Sequence, residues 1–164
     1  MKIIHTSDWH LGQRLLFNER GEEQQMALDW LREVIITEKA DALIVAGDIF
    51  DNGNPPHPAR KLYYNFLTSL LHTTCRHIVV VAGNHDSPGM LDAPRELLEY
   101  LNIRVVGAAA EDLQQDCLEL KSAKGKLEAI VAAIPFLRDR DLMPSVSGET
   151  TLDRIQRIQM GIRQ

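Results

Sequence analysis

Three short polar clusters hold the side chains with the clearest capacity for chemistry. They occupy residues 7–10, 47–51 and 83–86, and an apolar run precedes each of them. Together they offer carboxylates, imidazoles and an amide. This mixture of oxygen and nitrogen donors suits hard-to-borderline divalent ions such as Mn²⁺, Zn²⁺ or Fe²⁺. The clusters therefore predict one metal site, provided that the fold brings them together.

Each cluster taken alone has a simpler explanation. Asp8 and His10 could share one face and chelate an ion, or be a turn aspartate and a surface histidine. Asp48 follows a buried strand, where an unpaired charge is costly, so it needs a partner or a metal, yet it could also cap a turn. Asn84 could ligate through its carbonyl oxygen or lie in a polar turn. The repetition of the pattern at three strand ends favours the metal.

The intervening segments predict an α/β fold that positions the clusters. Apolar runs predict four strands, at residues 2–6, 42–46, 78–82 and 103–106. Amphipathic segments predict helices, at residues 22–39, 57–72 and 92–101. Alternating strands and helices are typical of parallel sheets with right-handed crossovers. Such sheets bind ligands at the carboxyl ends of their strands, where the three clusters lie.

A different pattern follows Gly107. Residues 117–121 and 126–133 predict a β-hairpin that turns at residues 122–125. A final helix is predicted at residues 150–162. The alternation of strand and helix therefore ends in the last third of the chain.

Composition is typical of a single globular domain. The chain has 164 residues, of which 45% are hydrophobic and 25% are charged. Cys75 and Cys117 form no CxxC pair, and we expect them to be structural thiols of a cytoplasmic protein. We expect no secretory signal, and no membrane span because no run approaches about 18 apolar residues.

Net charge limits how the chain could bind nucleic acid. The formal charge of −5 disfavours broad electrostatic adhesion to DNA, and therefore a passive DNA coat. Arginine side chains could still contact phosphate locally, at positions 14, 60, 95, 138 and 140. The net charge is therefore compatible with an enzyme that binds DNA through metal ions.

The three motifs resemble those of a known enzyme family. Asp-x-His from Asp8, Gly-Asp-x-x-Asp from Gly47 and Gly-Asn-His-Asp from Gly83 form the signature of the calcineurin-like metallophosphoesterases. Flanking segments resemble one branch of that superfamily, the bacterial SbcD nucleases, at residues 4–12, 45–51, 54–56 and 134–138. The likeness covers almost the whole chain and implies a layered α/β/β/α sandwich.

The resemblance implies a binuclear metal site. Asp8 and His10 would bind the first metal ion. Asp48 would bridge both ions, and Asn84 would bind the second. Mn²⁺ is the ion that the nuclease family prefers, with two ions per complete site. Two ions about 3.5–4 Å apart can activate water and clamp an in-line phosphoryl displacement.

The resemblance also implies roles for three residues that bind no metal. His85 would lie near the scissile phosphate and stabilise or protonate the leaving oxygen. Asp51 stands where archaeal relatives carry a histidine, and we expect it to order the site. Asp86 is expected to orient its loop rather than to take part in the chemistry.

One departure from the family pattern concerns the ligand set. The family completes its site with three further histidines, whereas no histidine follows His85 in this chain. We therefore expect residues 1–164 to be the N-terminal part of a nuclease domain, without the end of that domain and its DNA-capping domain. The ligand set of the two Mn²⁺ ions is correspondingly incomplete.

Three functions remain open from the sequence. The first is an SbcD-like Mn²⁺-dependent DNA nuclease that acts on duplex ends and hairpins with an SbcC-like ATPase, in DNA repair, recombination and replication. The second is a phosphodiesterase or phosphatase of the same fold with small substrates. The third is a catalytically incomplete fragment that acts only in dimerisation, which the absence of histidines after His85 supports. The resemblance also implies that helices from the region of residues 57–72 form a homodimer contact.

Overall fold

A parallel sheet forms the frame of the protein. The computed structural model describes residues 1–110, 112–138, 141, 148 and 150–161, and Arg140 therefore lies outside the described residues. The sheet has four strands: β1 (Ile3–Thr6), β4 (Ala42–Ala46), β5 (His77–Val81) and β6 (Ile103–Val106). Their order is β1-β4-β5-β6, and all three pairings are parallel. The predicted α/β fold class is confirmed.

Two long helices cover one face of this sheet. They are α1 (Gly21–Thr37) and α2 (His57–Ser69). Leu31 and Ile35 of α1 and Leu67 of α2 are buried with Leu43 and Val80 of the sheet in the main hydrophobic core. Because alternate strand residues point to opposite faces, the intervening side chains of β4 and β5 form a second, smaller core on the other face.

The helix predicted at residues 92–101 is wrong as a single element. The chain forms two short helices instead, α3 (Pro88–Asp92) and α4 (Arg95–Glu99). Pro94 lies between them. Pro94 has φ −90° and ψ 11°, outside the helical region, and proline has no N–H to donate to the preceding turn, which accounts for the break.

A small exposed hairpin lies between the strand predicted at residues 2–6 and the helix predicted at residues 22–39, where no element was predicted. Its strands are β2 (Arg14–Leu15) and β3 (Asn18–Glu19), which pair antiparallel. Leu16 and Phe17 form its tip, and Phe17 is 97% exposed. Two-residue strands are too short to show a period in the sequence, so this element could not be predicted.

The predicted C-terminal hairpin forms and packs on the second face of the sheet. Strands β7 (Cys117–Lys121) and β8 (Leu127–Ala132) pair antiparallel after a 3₁₀ turn at Leu113–Asp116. Leu120 is buried there against Val79 and Val81 of β5. Helices, parallel sheet and hairpin thus give three successive layers of the expected α/β/β/α sandwich.

The last described element is helix α5 (Thr151–Gly161). It agrees with the helix predicted at residues 150–162, except that Ile162 lies outside the described residues. None of the described helices combines the length and the apolar character that a membrane crossing requires.

Candidate metal centre

The loops after β1 and β4 run side by side beyond the ends of their strands. The backbone N–H of Asp8 donates to the carbonyl of Gly47 at 3.0 Å, and that of His10 donates to the carbonyl of Asp48 at 3.0 Å. A third bond links the N–H of Leu11 to Ile49 at 2.9 Å. This ladder fixes the first two polar clusters against each other, so that their side chains meet at one edge of the sheet.

Three predicted metal ligands adopt a backbone conformation that is uncommon outside glycine. The φ angles are 58° at Asp8, 45° at His10 and 50° at Asp48. The left-handed region costs a non-glycine residue about 1–3 kcal/mol, and it persists where the surroundings determine it. Here the ladder between the two loops does so. Among the described residues, three of the six non-glycine positions with a positive φ are thus predicted metal ligands.

Two glycines allow the loops after β4 and β5 to approach each other. Gly47 has a φ of 90°, and a Cβ placed on it would lie 3.1 Å from the Cα of Gly83. A Cβ on Gly83 would overlap both the carboxylate and the backbone nitrogen of Asp48. Only glycine at position 83 leaves room for Asp48 in its observed place.

His10 is the centre of two groups of side chains that could hold a cation. In the first, ligand atoms of Asp8, His10 and Asp48 all lie within 4.8 Å of one another. The His10 Nε2 is 3.8 Å from Asp8 Oδ1 and 3.9 Å from Asp48 Oδ2. In the second, His10, Asp51 and His85 meet the same limit, with His10 Nδ1 3.6 Å from Asp51 Oδ1. The structure therefore brings these five predicted site residues together.

The donor set fits a divalent metal ion. Three carboxylates and two imidazoles converge, and within the described parts of the chain no lysine or arginine forms an ion pair with Asp8, Asp48 or Asp51. The buried Nδ1 atom of His10 has no hydrogen-bond partner there. Concentrated negative charge and an orphaned imidazole nitrogen both favour a bound cation, and this oxygen and nitrogen chemistry suits Mn²⁺, Fe²⁺ or Zn²⁺.

Asn84 borders the same cavity as the two aspartates. The cavity has a volume of about 520 Å³ and opens along the carboxyl edge of the sheet. Asp8, Asp48 and Asn84 all line it, and Asn84 is exposed. The amide oxygen is thus available at the cavity wall, where an oxygen ligand would be needed.

His85 is held by the loop after β4 through two hydrogen bonds. Its backbone N–H donates to Asp48 Oδ1 at 3.0 Å, and its Nδ1 lies 2.8 Å from the carbonyl oxygen of Asp51. The ring also packs edge-on against His10, with centroids 4.9 Å apart. The bond to the Asp51 carbonyl, helped by the nearby carboxylates of Asp48 and Asp51, raises the pKa of His85 against a smaller opposing effect of burial.

Asp86 joins the loop after β4 to the loop after β5. Its side chain is 2% exposed, and its carboxylate accepts backbone N–H bonds from Ile49 (3.2 Å), Phe50 (3.0 Å) and Gly83 (2.8 Å). Arg138 donates through Nη2 to the Asp86 carbonyl at 3.1 Å. This arrangement agrees with the expected role of Asp86 in orienting its loop.

Comparison with known proteins decides the family. The model of the calcineurin-like phosphoesterases matches residues 1–154, which is nearly the whole chain. The chain belongs to this family. The predicted membership and the predicted fold are therefore confirmed.

Curated relatives of this phosphoesterase include several bacterial nuclease components. The SbcD subunit of nuclease SbcCD from Escherichia coli K12 is 44% identical over 158 residues, which cover 96% of this chain and 38% of that protein. The protein of the same name from Rhodobacter capsulatus is 39% identical over 87% of this chain and 36% of its own length. The one from Bacillus subtilis is 44% identical over 65% of this chain and 27% of its own length. The chain thus spans less than two fifths of the length of these relatives.

Two residues near the phosphoesterase site have surroundings that the sequence did not indicate. His5 on the edge strand β1 is exposed and lines the cavity together with Asp8. Its position on β1, three residues before Asp8, was the available signal. The contact of Arg138 with Asp86 spans 52 residues and had no local signal.

Proposed function

We propose that this chain is the metal-binding N-terminal part of a DNA nuclease subunit that hydrolyses phosphodiester bonds. The observation that carries the proposal is the convergence of Asp8, His10 and Asp48, with His85 directly beside them. The relatives named above are nuclease subunits, which supports DNA rather than a small molecule as the substrate.

The proposed ligand assignment follows the resemblance and the donor chemistry. Asp8 and His10 would hold the first ion, Asp48 would bridge, and Asn84 would hold the second. When bound, Mn²⁺ ions would supply the Lewis acidity that activates water and stabilises the charge developing on the phosphoryl group. Because the relatives extend well beyond this region, the remaining ligands would come from outside residues 1–164.

His85 is proposed to act on the leaving oxygen. A carbonyl oxygen only accepts hydrogen bonds, so the Nδ1 of His85 must donate to the Asp51 carbonyl. This bond fixes the ring and leaves Nε2 for the substrate. In the protonated ring, Nε2–H can donate a hydrogen bond, and then a proton, to the departing oxygen. Asp51 is proposed to order the site through this carbonyl and through its carboxylate beside His10.

The particular DNA substrates and the partners are proposed from the family resemblance and from the names of the relatives. The name SbcCD joins SbcD to a second component, SbcC, so we propose an SbcC-like ATPase as partner. Duplex ends and hairpins would be the substrates, in DNA repair and recombination. A homodimer through the region of α1 and α2 is also proposed, and the exposed Met26 and Trp30 of α1 offer apolar surface for it.

Degradation of linear duplex DNA in the presence of Mn²⁺ tests the proposal. Replacing His85 by alanine should lower the rate by about 10²–10⁴-fold, the usual contribution of a proton-transferring side chain. Binding of Mn²⁺, followed by calorimetry, should stay unchanged because His85 is not an assigned ligand. His72→Ala is the control, since His72 is an exposed histidine just after the end of α2.

The outcomes separate the three functions. Equal rates for the wild type and His85→Ala would refute the role of His85. Cleavage of a small phosphodiester without cleavage of DNA would support a phosphodiesterase with small substrates. Failure of the folded chain to cleave either substrate or to bind Mn²⁺ would support a fragment that acts only in assembly.

A further inference from the structure

Arg138 contacts the loop that carries His85 and forms no ion pair with a carboxylate within the described residues. Six other arginines each form an ion pair with a carboxylate within 4.0 Å: Arg14, Arg20, Arg32, Arg76, Arg95 and Arg104. Arg138 forms none in the same part of the chain. Its side chain is half-buried, and its hydrogen-bond partner there is the neutral carbonyl of Asp86. A half-buried guanidinium with this environment retains its full charge for an anion.

The backbone around Arg138 is anchored to the loop of the site. The N–H of Phe136 donates to the carbonyl of Ala82 at 2.9 Å, directly before the Gly83 cluster. Pro135 is buried and borders the cavity. The N–H of Arg138 donates to Asp141 Oδ2 at 2.8 Å. The guanidinium is therefore held at the carbonyl of the residue that follows His85, rather than free on a flexible surface loop.

The guanidinium of Arg138 has N–H donors that no acceptor among the described residues uses. Only Nη2 donates to an acceptor among the described residues, so Nε and Nη1 remain available. An arginine presents its donors in a planar fork that matches the oxygen atoms of a phosphate. Fixing one donor on a backbone carbonyl preorganises the others, so less side-chain entropy is lost when a phosphate binds.

The charge of the protein explains why such a group is needed. The chain carries a net charge of −5, and carboxylates dominate the centre itself. A DNA backbone approaching the centre is repelled except where positive charge is held next to it. Arg138 is placed to supply that charge beside His85, the residue proposed to act on the leaving oxygen.

We propose that Arg138 binds a backbone phosphate of the DNA strand, adjacent to the bond that is cleaved. This inference rests on the proposed nuclease function, because it assigns Arg138 to the same substrate. A role confined to holding the loop through the Asp86 carbonyl is the rival explanation. The two differ in one measurable quantity, the number of phosphate charges that the protein neutralises.

The salt dependence of DNA binding measures that number. Affinity for a duplex oligonucleotide is measured by fluorescence anisotropy over a range of NaCl concentrations, in EDTA so that no cleavage occurs. Each phosphate contact contributes about 0.9 to the slope of log K against log salt. Arg138→Gln should lower the slope by about that amount and weaken binding at low salt. Arg138→Lys keeps the charge and should keep the slope.

Arg104→Gln is the matched control. It removes the same charge from an exposed arginine of β6 that pairs with Glu99, and it should leave the slope unchanged. Circular dichroism checks that every variant is folded. A slope that is unchanged in folded Arg138→Gln would overturn the inference, and so would an equal loss in Arg138→Lys. Absence of measurable binding by the wild type would overturn it as well.

Cleavage by the wild-type chain in Mn²⁺ keeps the two proposals apart. A reduced slope in Arg138→Gln without cleavage by the wild type would leave the phosphate contact standing and count against the nuclease function. Cleavage by the wild type together with an unchanged slope in Arg138→Gln would support the nuclease function and count against the phosphate contact.

Discussion

At the scale of single residues, the site depends on the buried carboxylate of Asp86, which holds two of its loops together. Asp86 receives three backbone N–H bonds and so joins the loop after β4 to the loop after β5. Its own carbonyl then receives Arg138. A buried charge is tolerated only where hydrogen bonds replace water, and these N–H groups do so. The positions of Asp48 and His85 follow from this junction.

Replacing Asp86 by asparagine should destabilise the fold. The change keeps the shape of the side chain but removes the charge, and an amide can accept through one oxygen only, so at least one N–H loses its partner. Hydrogen bonds to a charged group contribute about 1.5–3 kcal/mol each, and we expect a loss in that range in the free energy of unfolding in urea. Asp29→Asn on the exposed surface of α1 is the control and should stay within about 0.5 kcal/mol. Equal stability of the two variants would contradict this account.

At the scale of elements, the strands place the chemistry and the glycines permit it. Parallel pairing of β1, β4 and β5 brings their carboxyl ends to one edge, and the following loops continue the ladder for several residues. Close approach then depends on Gly47 and Gly83, where a side chain would meet the neighbouring backbone. Periodicity predicted the strands, but not how closely their loops approach.

Gly83→Ala should disrupt the metal centre. The added Cβ would overlap the Asp48 carboxylate and backbone nitrogen, so the loops must separate. We expect at least a tenfold loss of Mn²⁺ affinity by calorimetry, together with a lower melting temperature. Gly89→Ala in α3 is the control, because a Cβ there meets no atom within 4 Å. Wild-type affinity in Gly83→Ala would show that the loops can move apart without cost.

At the scale of the whole molecule, a single parallel sheet separates two cores of unequal size. The helical face buries the larger one, whereas the hairpin β7–β8 packs against the other face and buries the smaller one. Cys75 lies in the larger core and Cys117 is exposed at the start of β7. The reactivity of Cys75 therefore measures access of a reagent to the interior, and that of Cys117 measures access to the surface.

Alkylation should distinguish these thiols. Burial raises the pKa of Cys75 to about 11, and the thiolate is the reactive form. Its labelling in the native state should therefore be slow at pH 8 and accelerate as the pH rises towards 11, whereas urea should restore the reactivity of an ordinary thiol. Cys117 should react readily without urea. Mass spectrometry of the Cys75→Ser and Cys117→Ser variants separates the two rates, and equal native rates would show that Cys75 is accessible.

The sequence by itself determined the elements and the identity of the chemical groups. Runs of apolar residues and their spacing predicted all four strands of the parallel sheet, both long helices and the hairpin β7–β8, because these patterns are local. Motif spacing also placed Asp8, His10, Asp48 and Asn84 at strand ends; their roles as ligands stay a prediction. The spacing of apolar residues did not predict the break that Pro94 makes within residues 92–101. It also did not predict β2 and β3, whose strands are too short to show a period.

Only the tertiary structure decided how these groups are held. The anchoring of His85 on the Asp51 carbonyl, the junction at Asp86 and the approach of Arg138 join residues 34 to 52 positions apart. Such contacts depend on sheet order, on register and on which loops pack together, and no local pattern encodes them. The sequence thus specified which atoms could bind a metal and a phosphate, whereas long-range packing specified their distances and partners.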